Sequence, residues 1–264
     1  MTPRIFDIVA LKYRISIKYK IRKFFYYGKN YYCLSCGKFL RKFAPFGKIK
    51  RDNAECPFCY SLERHRFLLL FLKRKTNLFS GNLKVLDFGP EYYLEIIFKS
   101  MSNLEYFSAD INPKIGMFQM DITDIKFDRN TFDFILCIGV LEHVIDDKKA
   151  LKELFRVLKP GGYAIILVPI NYNLNETIEY SKEEFQKNGA KYHMYDFHVR
   201  DYGLDFEMRL KKAGFNTERI TYGLEIQREK RIRYGLIEDE EFYFSQKPIE
   251  NSSNRNELSK FKKF

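Results

Sequence analysis

TFDFILCIGVLEHVIDDKKALKELFRVLKPGGYAIILVP, residues Thr131 to Pro169, decides the fold. Phe132 to Cys137 and Tyr163 to Val168 are short apolar runs rich in β-branched and aromatic residues, the composition of strands covered on both faces. Between them Ala150, Leu151, Leu154, Phe155, Val157 and Leu158 recur at helical spacing, and Lys148, Lys149, Lys152, Glu153 and Arg156 fill the other face. Asp146 and Asp147 sit where a helix start favours carboxylates, and Lys159-Pro160-Gly161-Gly162 stops the helix. Strand, helix, strand is a βαβ unit, and its crossover is expected to be right-handed.

Working outward, Lys84-Val-Leu-Asp-Phe-Gly89 reads as an earlier strand with its exit turn. Ala109-Asp110-Ile111-Asn112-Pro113 ends a second strand, and Met120-Asp121-Ile122 follows a third. Late in the chain comes His198-Val-Arg-Asp-Tyr-Gly-Leu-Asp-Phe-Glu-Met-Arg-Leu-Lys-Lys-Ala-Gly-Phe215. Its middle reads as a helix that starts after Gly203 and runs to Lys212, followed by strands over Asn216–Tyr222 and Glu241–Gln246. The connector over residues 170–197 is too long for a plain turn and is expected to lid a pocket, with Glu176 and His193 as secondary candidates within it.

These pieces together resemble the class I methyltransferases that use S-adenosylmethionine (SAM). In that superfamily the fourth strand ends in a loop like CxxVLEHV and LKPGG leads into the fifth. The match covers almost forty consecutive residues here. The wording LDFGPEYYL is similar to the VLHFAPE-type opening of a bacterial, type 11-like subfamily with an N-terminal four-cysteine zinc ribbon. The resemblance runs from about residue 30 to the C-terminal strand. It implies an α/β fold: a Rossmann-like seven-stranded class I methyltransferase sheet with helices on both faces, preceded by a small zinc ribbon.

For the cofactor, the resemblance points to Asp87, Gly89, Pro90 and Glu91 around the methionine end. Two glycines of the usual D/E-x-G-x-G-x-G are replaced here, so the loop must take another route. Asp110, with Ile111 behind it, is placed to accept hydrogen bonds from both ribose hydroxyls. Asp121 and Ile122 are placed at the adenine, and Ile138, Gly139 and Val140 line the other side. In open α/β sheets such a ligand lies beyond the carboxyl ends of the strands.

On the acceptor side, methyl transfer is an in-line displacement in which alignment matters most. His143, His198 and Arg200 are the catalytic candidates. His143 is placed to act as a general base or to orient its loop. Arg200 is placed to pair with an anionic substrate group, or structurally with Asp201 or Asp205.

Cys33-Leu-Ser-Cys36 and Cys56-Pro-Phe-Cys59 form two C-x2-C pairs separated by nineteen residues. Two such knuckles deliver four thiolates to one tetrahedral zinc. Gly37 and Pro57 are the expected turn formers. With all four positions filled by protein, the metal is expected to be structural. Cys137 is left as a core residue. His65, in the segment that opens a helix through Leu72, reads as packing or hinge.

The net charge of +12 is uneven. Residues 1–80 hold 19 Lys/Arg against 4 Asp/Glu, so the whole basic excess lies there. Tyr13 to Ile21 alternates apolar and polar while its flanks fit a helix, leaving strand and helix both open. This third is expected either to meet an anionic membrane surface or RNA, or simply to be solvated. No apolar run approaches a membrane span, and a signal core is absent, so the expectation is a cytoplasmic protein, peripheral at most. The linear division is 1–30 basic segment, 31–62 ribbon, 63–80 linker helix, 81–249 methyltransferase domain and 250–264 disordered tail.

Three functions follow. The first is SAM-dependent transfer to an oxygen or nitrogen of a small-molecule or saccharide acceptor, with a sugar or glycolipid preferred because the subfamily occurs among cell-surface polysaccharide functions. The second is a zinc-ribbon RNA methyltransferase, although the (D/N)PPY loop for exocyclic base amines is missing. The third is a SAM-fold binding protein without catalysis, motivated by Glu91 and Tyr93 standing in for glycines.

Overall fold

The computed structural model describes residues 24–47, 50–181 and 198–249. The basic stretch up to residue 23, most of the connector including His193, and the tail lie outside the described residues. The chain divides into two compact units, one of residues 1–79, 92–100 and 221–241, the other of 80–91, 101–220 and 242–264.

In the first unit β1 (Tyr27–Tyr32) pairs antiparallel with β2 (Phe39–Leu40), and β3 (Ala44–Phe46) with β4 (Arg51–Glu55). A cysteine pair follows β1 and another follows β4. In both knuckles the amide four residues after the first cysteine returns to that cysteine's carbonyl, Gly37 to Cys33 and Tyr60 to Cys56, each at 2.8 Å. Both of these residues adopt positive φ, +66° and +64°. Gly37 was expected in that role; in the second knuckle Tyr60 takes it, at a cost of about 1–2 kcal/mol for a side chain in the left-handed region.

Helix α1 (Glu63–Lys75) follows, its N-terminus closed when the Leu62 amide donates to His65 Nδ1 at 2.9 Å. The His65 ring also packs on Tyr93 of α2 (Tyr92–Lys99), with centroids 4.3 Å apart. Arg66 is completely buried. Its guanidinium donates to the carbonyls of Ser61, Ala54, Tyr234 and Gly235 at 2.6–2.9 Å and lies 4.0 Å over the Phe43 ring. A buried cation is tolerable only when its donors are satisfied in this way.

The second unit is built on a seven-stranded sheet. Its strands are β5 (Leu83–Phe88), β6 (Leu104–Asp110), β7 (Phe118–Gln119), β8 (Phe132–Ile138), β9 (Leu158–Leu167), β12 (Asn216–Ile220) and β13 (Phe242–Gln246). The short strands β10 (Ile178–Glu179) and β11 (Arg200–Asp201) pair separately. The sheet order is β12-β13-β9-β8-β5-β6-β7. β5 to β9 run parallel, and β13 runs against both of its neighbours. The order reverses between β5 and β8, where a parallel sheet opens a crevice.

Helix α3 (Asp147–Val157) is the crossover of the βαβ unit. The Asp146 side chain caps it by accepting from the Lys149 amide at 2.9 Å, and Ala150, Leu151, Leu154 and Val157 are buried. β9 begins at Leu158, earlier than the apolar run implies. Its register against β8 jumps from Phe132↔Leu158 to Phe134↔Tyr163, so Lys159 to Gly162 form a bulge. Gly162 is required there, since a Cβ would lie 2.9 Å from the Asp133 and Lys159 carbonyl oxygens. Helix α4 (Phe206–Lys212) buries Phe206 and Leu210, four residues apart. Cys137 is buried in the core, as expected.

Candidate functional site

At the carboxyl ends of the parallel strands lies a cavity of about 640 Å³, the size range of a small-ligand site. Each loop leaving β5, β6, β7 and β8 contributes to its wall. Of the expected cofactor residues, Gly89, Asp110, Ile111, Asp121, Ile122, Gly139 and Val140 line it. Ile138 is buried at the end of β8 just below, and Pro90 and Glu91 are not among the lining residues. Asp87 is buried and accepts from the Tyr106 hydroxyl at 2.8 Å, so its carboxylate is committed inside the sheet.

The turn after β5 and the end of β6 meet closely. The Gly89 amide donates to the Ala109 carbonyl at 3.0 Å, and Gly89 has φ +63°. A Cβ at Gly89 would lie 2.5 Å from Val140 Cγ2 and 3.9 Å from Asp110 Oδ2. Backbone, and not side chain, therefore faces the cavity at this point. Asp110 Oδ1 accepts from the Asn112 amide at 2.7 Å, which fixes the carboxylate while Oδ2 lies on the Gly89 side. Asp121 Oδ1 is held likewise by the Thr123 amide at 2.8 Å. Two such carboxylates are acceptors suited to hydroxyl and amino hydrogens.

His143 lines the same cavity, and its ring stands 4.9 Å from that of His198, edge to face. Met120, Thr123, Val144, Ile145 and Asp146, which were not among the expected site residues, also line the wall. Their signal is adjacency: each flanks a residue already singled out, but nothing in their own chemistry marks them.

Arg200 corrects an expectation. It is buried, and its guanidinium donates to Glu179 Oε2 at 2.8 Å, to the Leu141 and Ile145 carbonyls at 2.8 Å, and to the Val144 carbonyl. Its donors are thus directed into the protein, leaving no role as a clamp for an anionic substrate. Its ion-pair partners are Glu179 at 2.8 Å and Asp147 at 3.9 Å, not Asp201 or Asp205, and the pairing of β11 with β10 is what puts Glu179 alongside. Arg209 joins the network through Asp147 at 3.0 Å and Glu179 at 2.9 Å. The buried Tyr202 hydroxyl donates to Asp147 at 3.0 Å, and its pKa is driven far up, first by burial and then by the Asp147 charge. The 141–145 loop is held from behind by this network.

In the other unit Cys33, Cys36, Cys56 and Cys59 converge, with all four Sγ atoms within 4.8 Å of one another. Cys33 and Cys59 Sγ are 3.7 Å apart, Cys36 and Cys56 Sγ 3.8 Å. A tetrahedron of thiolates about 2.3 Å from a central ion has edges of about 3.8 Å, so donor set and spacing fit zinc. Burial would raise the Cys33 thiol, but hydrogen bonds from the other three cysteines and the Arg66 charge pull it well below its usual value. Burial, and after it the same sharing, pushes the Cys56 thiol well above its usual value.

Residues 91–166 match the family described as a methyltransferase domain. That match covers β6, β7, β8 and most of β9. Over this stretch the chain is similar to a methyltransferase domain. Among curated proteins, the ubiquinone/menaquinone biosynthesis C-methyltransferase UbiE of Cronobacter sakazakii is 37% identical over 81 residues, 31% of this chain and 28% of that protein. The enzyme of the same name from Idiomarina loihiensis is 42% identical over 65 residues, 24% of this chain and 26% of that one. The chain thus spans under a third of the length of these relatives. Among solved structures, a putative methyltransferase in complex with the Trm112 activator from Haloferax volcanii aligns at 15% identity and TM-score 0.42, covering 68% of this chain and 92% of that one. The [4+2]-cyclase SpnF aligns at 15% identity and TM-score 0.49, covering 72% and 84%. Among the described residues no helix is long and apolar enough to cross a membrane.

Proposed function

We propose that this protein transfers a methyl group from SAM to an oxygen or nitrogen atom of an acceptor, with a sugar or glycolipid hydroxyl as the preferred acceptor class. The observation that carries the reading is the meeting of Gly89 and Asp110 at the sheet's switch point, in a cavity also lined by Asp121. When bound, SAM supplies an electrophilic methyl on a sulfonium. Asp110 would accept from its ribose hydroxyls and Asp121 from its adenine amino group, with Ile122 against the ring. The bare backbone at Gly89 and Gly139 leaves room for the chain between. The residues then contribute chiefly alignment. His143 and His198 stand on the acceptor side, where an O–H or N–H must shed its proton.

The four cysteines would hold one structural zinc, which ties the two knuckles together and takes no part in transfer. A second reading, an RNA acceptor, draws on the first unit. Phe39 and Phe46 are 46% and 41% exposed beside Lys38, Arg41 and Lys42, a pattern suited to stacking bases and neutralising phosphates.

Transfer from SAM carrying a tritiated methyl into cell extract separates the acceptors. Label in the lipid or polysaccharide fraction supports the preferred reading, and label in RNA the second. No transfer into any fraction, from protein that binds SAM, would point to a binding protein without catalysis.

A further inference from the structure

We propose that Glu142, His143 and His198 form a second metal site, at the acceptor side of the cavity, for a divalent cation of the Mn²⁺ class. The role assigned to the cation rests on the methyltransferase reading above; the site itself does not.

The three side chains offer ligand atoms that all lie within 4.8 Å of one another. Around a cation with bonds of about 2.1 Å, ligand atoms are roughly 3.0 Å apart when adjacent and 4.2 Å apart when opposed. The difference is within reach of small torsions at the imidazoles. Glu142 is buried, at 4% exposure, and His143 lines the cavity wall. The cluster is therefore open on the side where ligand enters and closed behind.

The two segments that supply these ligands are 55 residues apart in sequence but bolted together. The Val199 amide donates to the Glu142 carbonyl at 2.9 Å. Arg200, next along, donates to the carbonyls of Leu141, Val144 and Ile145. The Tyr180 amide binds the Val199 carbonyl at 2.9 Å, adding a third segment. Backbone hydrogen bonds immediately beside all three ligands make the spacing a property of the fold. Held geometry of this kind is what a metal site needs from its surroundings.

Two imidazoles and one carboxylate on one side of a cation, with its other positions open, suit first-row divalent ions. The four thiols in the other unit are the softer donor set, so zinc loaded there first leaves Mn²⁺ to report on this one. An acceptor hydroxyl bound in an open position would have its pKa lowered by the cation. The balanced step is R–OH plus the sulfonium giving R–O–CH₃, the thioether and one proton. The O–H electron pair forms the new C–O bond, the S–CH₃ pair stays on sulfur, and the proton leaves to water. In this arrangement the imidazoles hold the cation and do not take the proton themselves.

The test is Mn²⁺ binding to full-length, zinc-loaded protein without SAM, read from the loss of the free Mn²⁺ electron paramagnetic resonance signal. One Mn²⁺ per chain is expected, with affinity falling roughly tenfold or more in His198→Ala and in Glu142→Gln. Circular dichroism and zinc content identify any variant that has failed to fold, and the second variant then decides. Undiminished free signal with folded wild-type protein, or folded variants that bind like wild type, would overturn the site. Calorimetric titration with S-adenosylhomocysteine on the same samples reports on the methyltransferase reading separately.

Discussion

Replacing Arg200 with lysine keeps the positive charge and removes the fork. The guanidinium makes four hydrogen bonds to four acceptors in different directions, three of them carbonyls of the 141–145 loop. An ammonium on a shorter reach retains one or two of them, with Glu179 favoured by charge. Each lost bond from a charged donor costs about 1.5–3 kcal/mol when its acceptor stays buried. Two lost bonds give roughly 3–6 kcal/mol, comparable to breaking a buried ion pair. Against a total stability of about 5–15 kcal/mol the variant stays folded at low temperature. With no tryptophan in the chain, urea unfolding followed by far-ultraviolet circular dichroism is the direct assay. The loop that Arg200 holds carries Val144 and Ile145 into the cavity wall, so S-adenosylhomocysteine affinity falls together with stability. Wild-type stability and cofactor affinity, with only the rate of transfer reduced, would refute the reasoning and return Arg200 to the substrate.

Gly89→Ala costs about 1–2 kcal/mol from the positive φ alone, and its Cβ displaces Val140, so cofactor binding by calorimetry weakens more than overall stability does. Cys56→Ser, or a strong chelator, releases zinc detectable with a colorimetric dye and lowers the thermal midpoint of the unit that holds Arg66 and Phe43. The carboxyl of Glu240 is pushed up to about 7, first by burial and further by Glu63 and Asp239, with Arg64 and Arg51 opposing. The folded state thus holds the proton more tightly than the unfolded one, and stability is lost as pH rises from about 4.5 through 7. Allowing for partial exposure, the loss is on the order of 1–2 kcal/mol, and Glu240→Gln abolishes it in unfolding curves taken across that range.

The βαβ unit was legible because its signals agree at every level. Apolar runs of strand length flank an amphipathic helix with Asp146 ready to cap it, and the structure has all three. The start of β9 was not legible: Lys159 to Gly162 carry turn residues, and only pairing with β8 makes them a bulge inside a strand. Convergence of the four cysteines was readable from spacing, since short knuckles leave the thiols few directions. Tyr60 was missed because nothing local demands positive φ from a tyrosine; the knuckle's hydrogen bond to Cys56 imposes it. Arg200 was ambiguous for a similar reason. A sequence shows a charge, but not that carbonyls 55 to 59 residues earlier are turned towards it.

The most direct measurement is calorimetric titration of S-adenosylhomocysteine into the wild-type protein and into Asp110→Ala. One site per chain is expected in the wild type, and at least a tenfold loss in the variant, about 1.4 kcal/mol or more, because the carboxylate beside Gly89 is removed. No heat from folded, zinc-loaded wild type, or equal affinity in the two proteins, would contradict it.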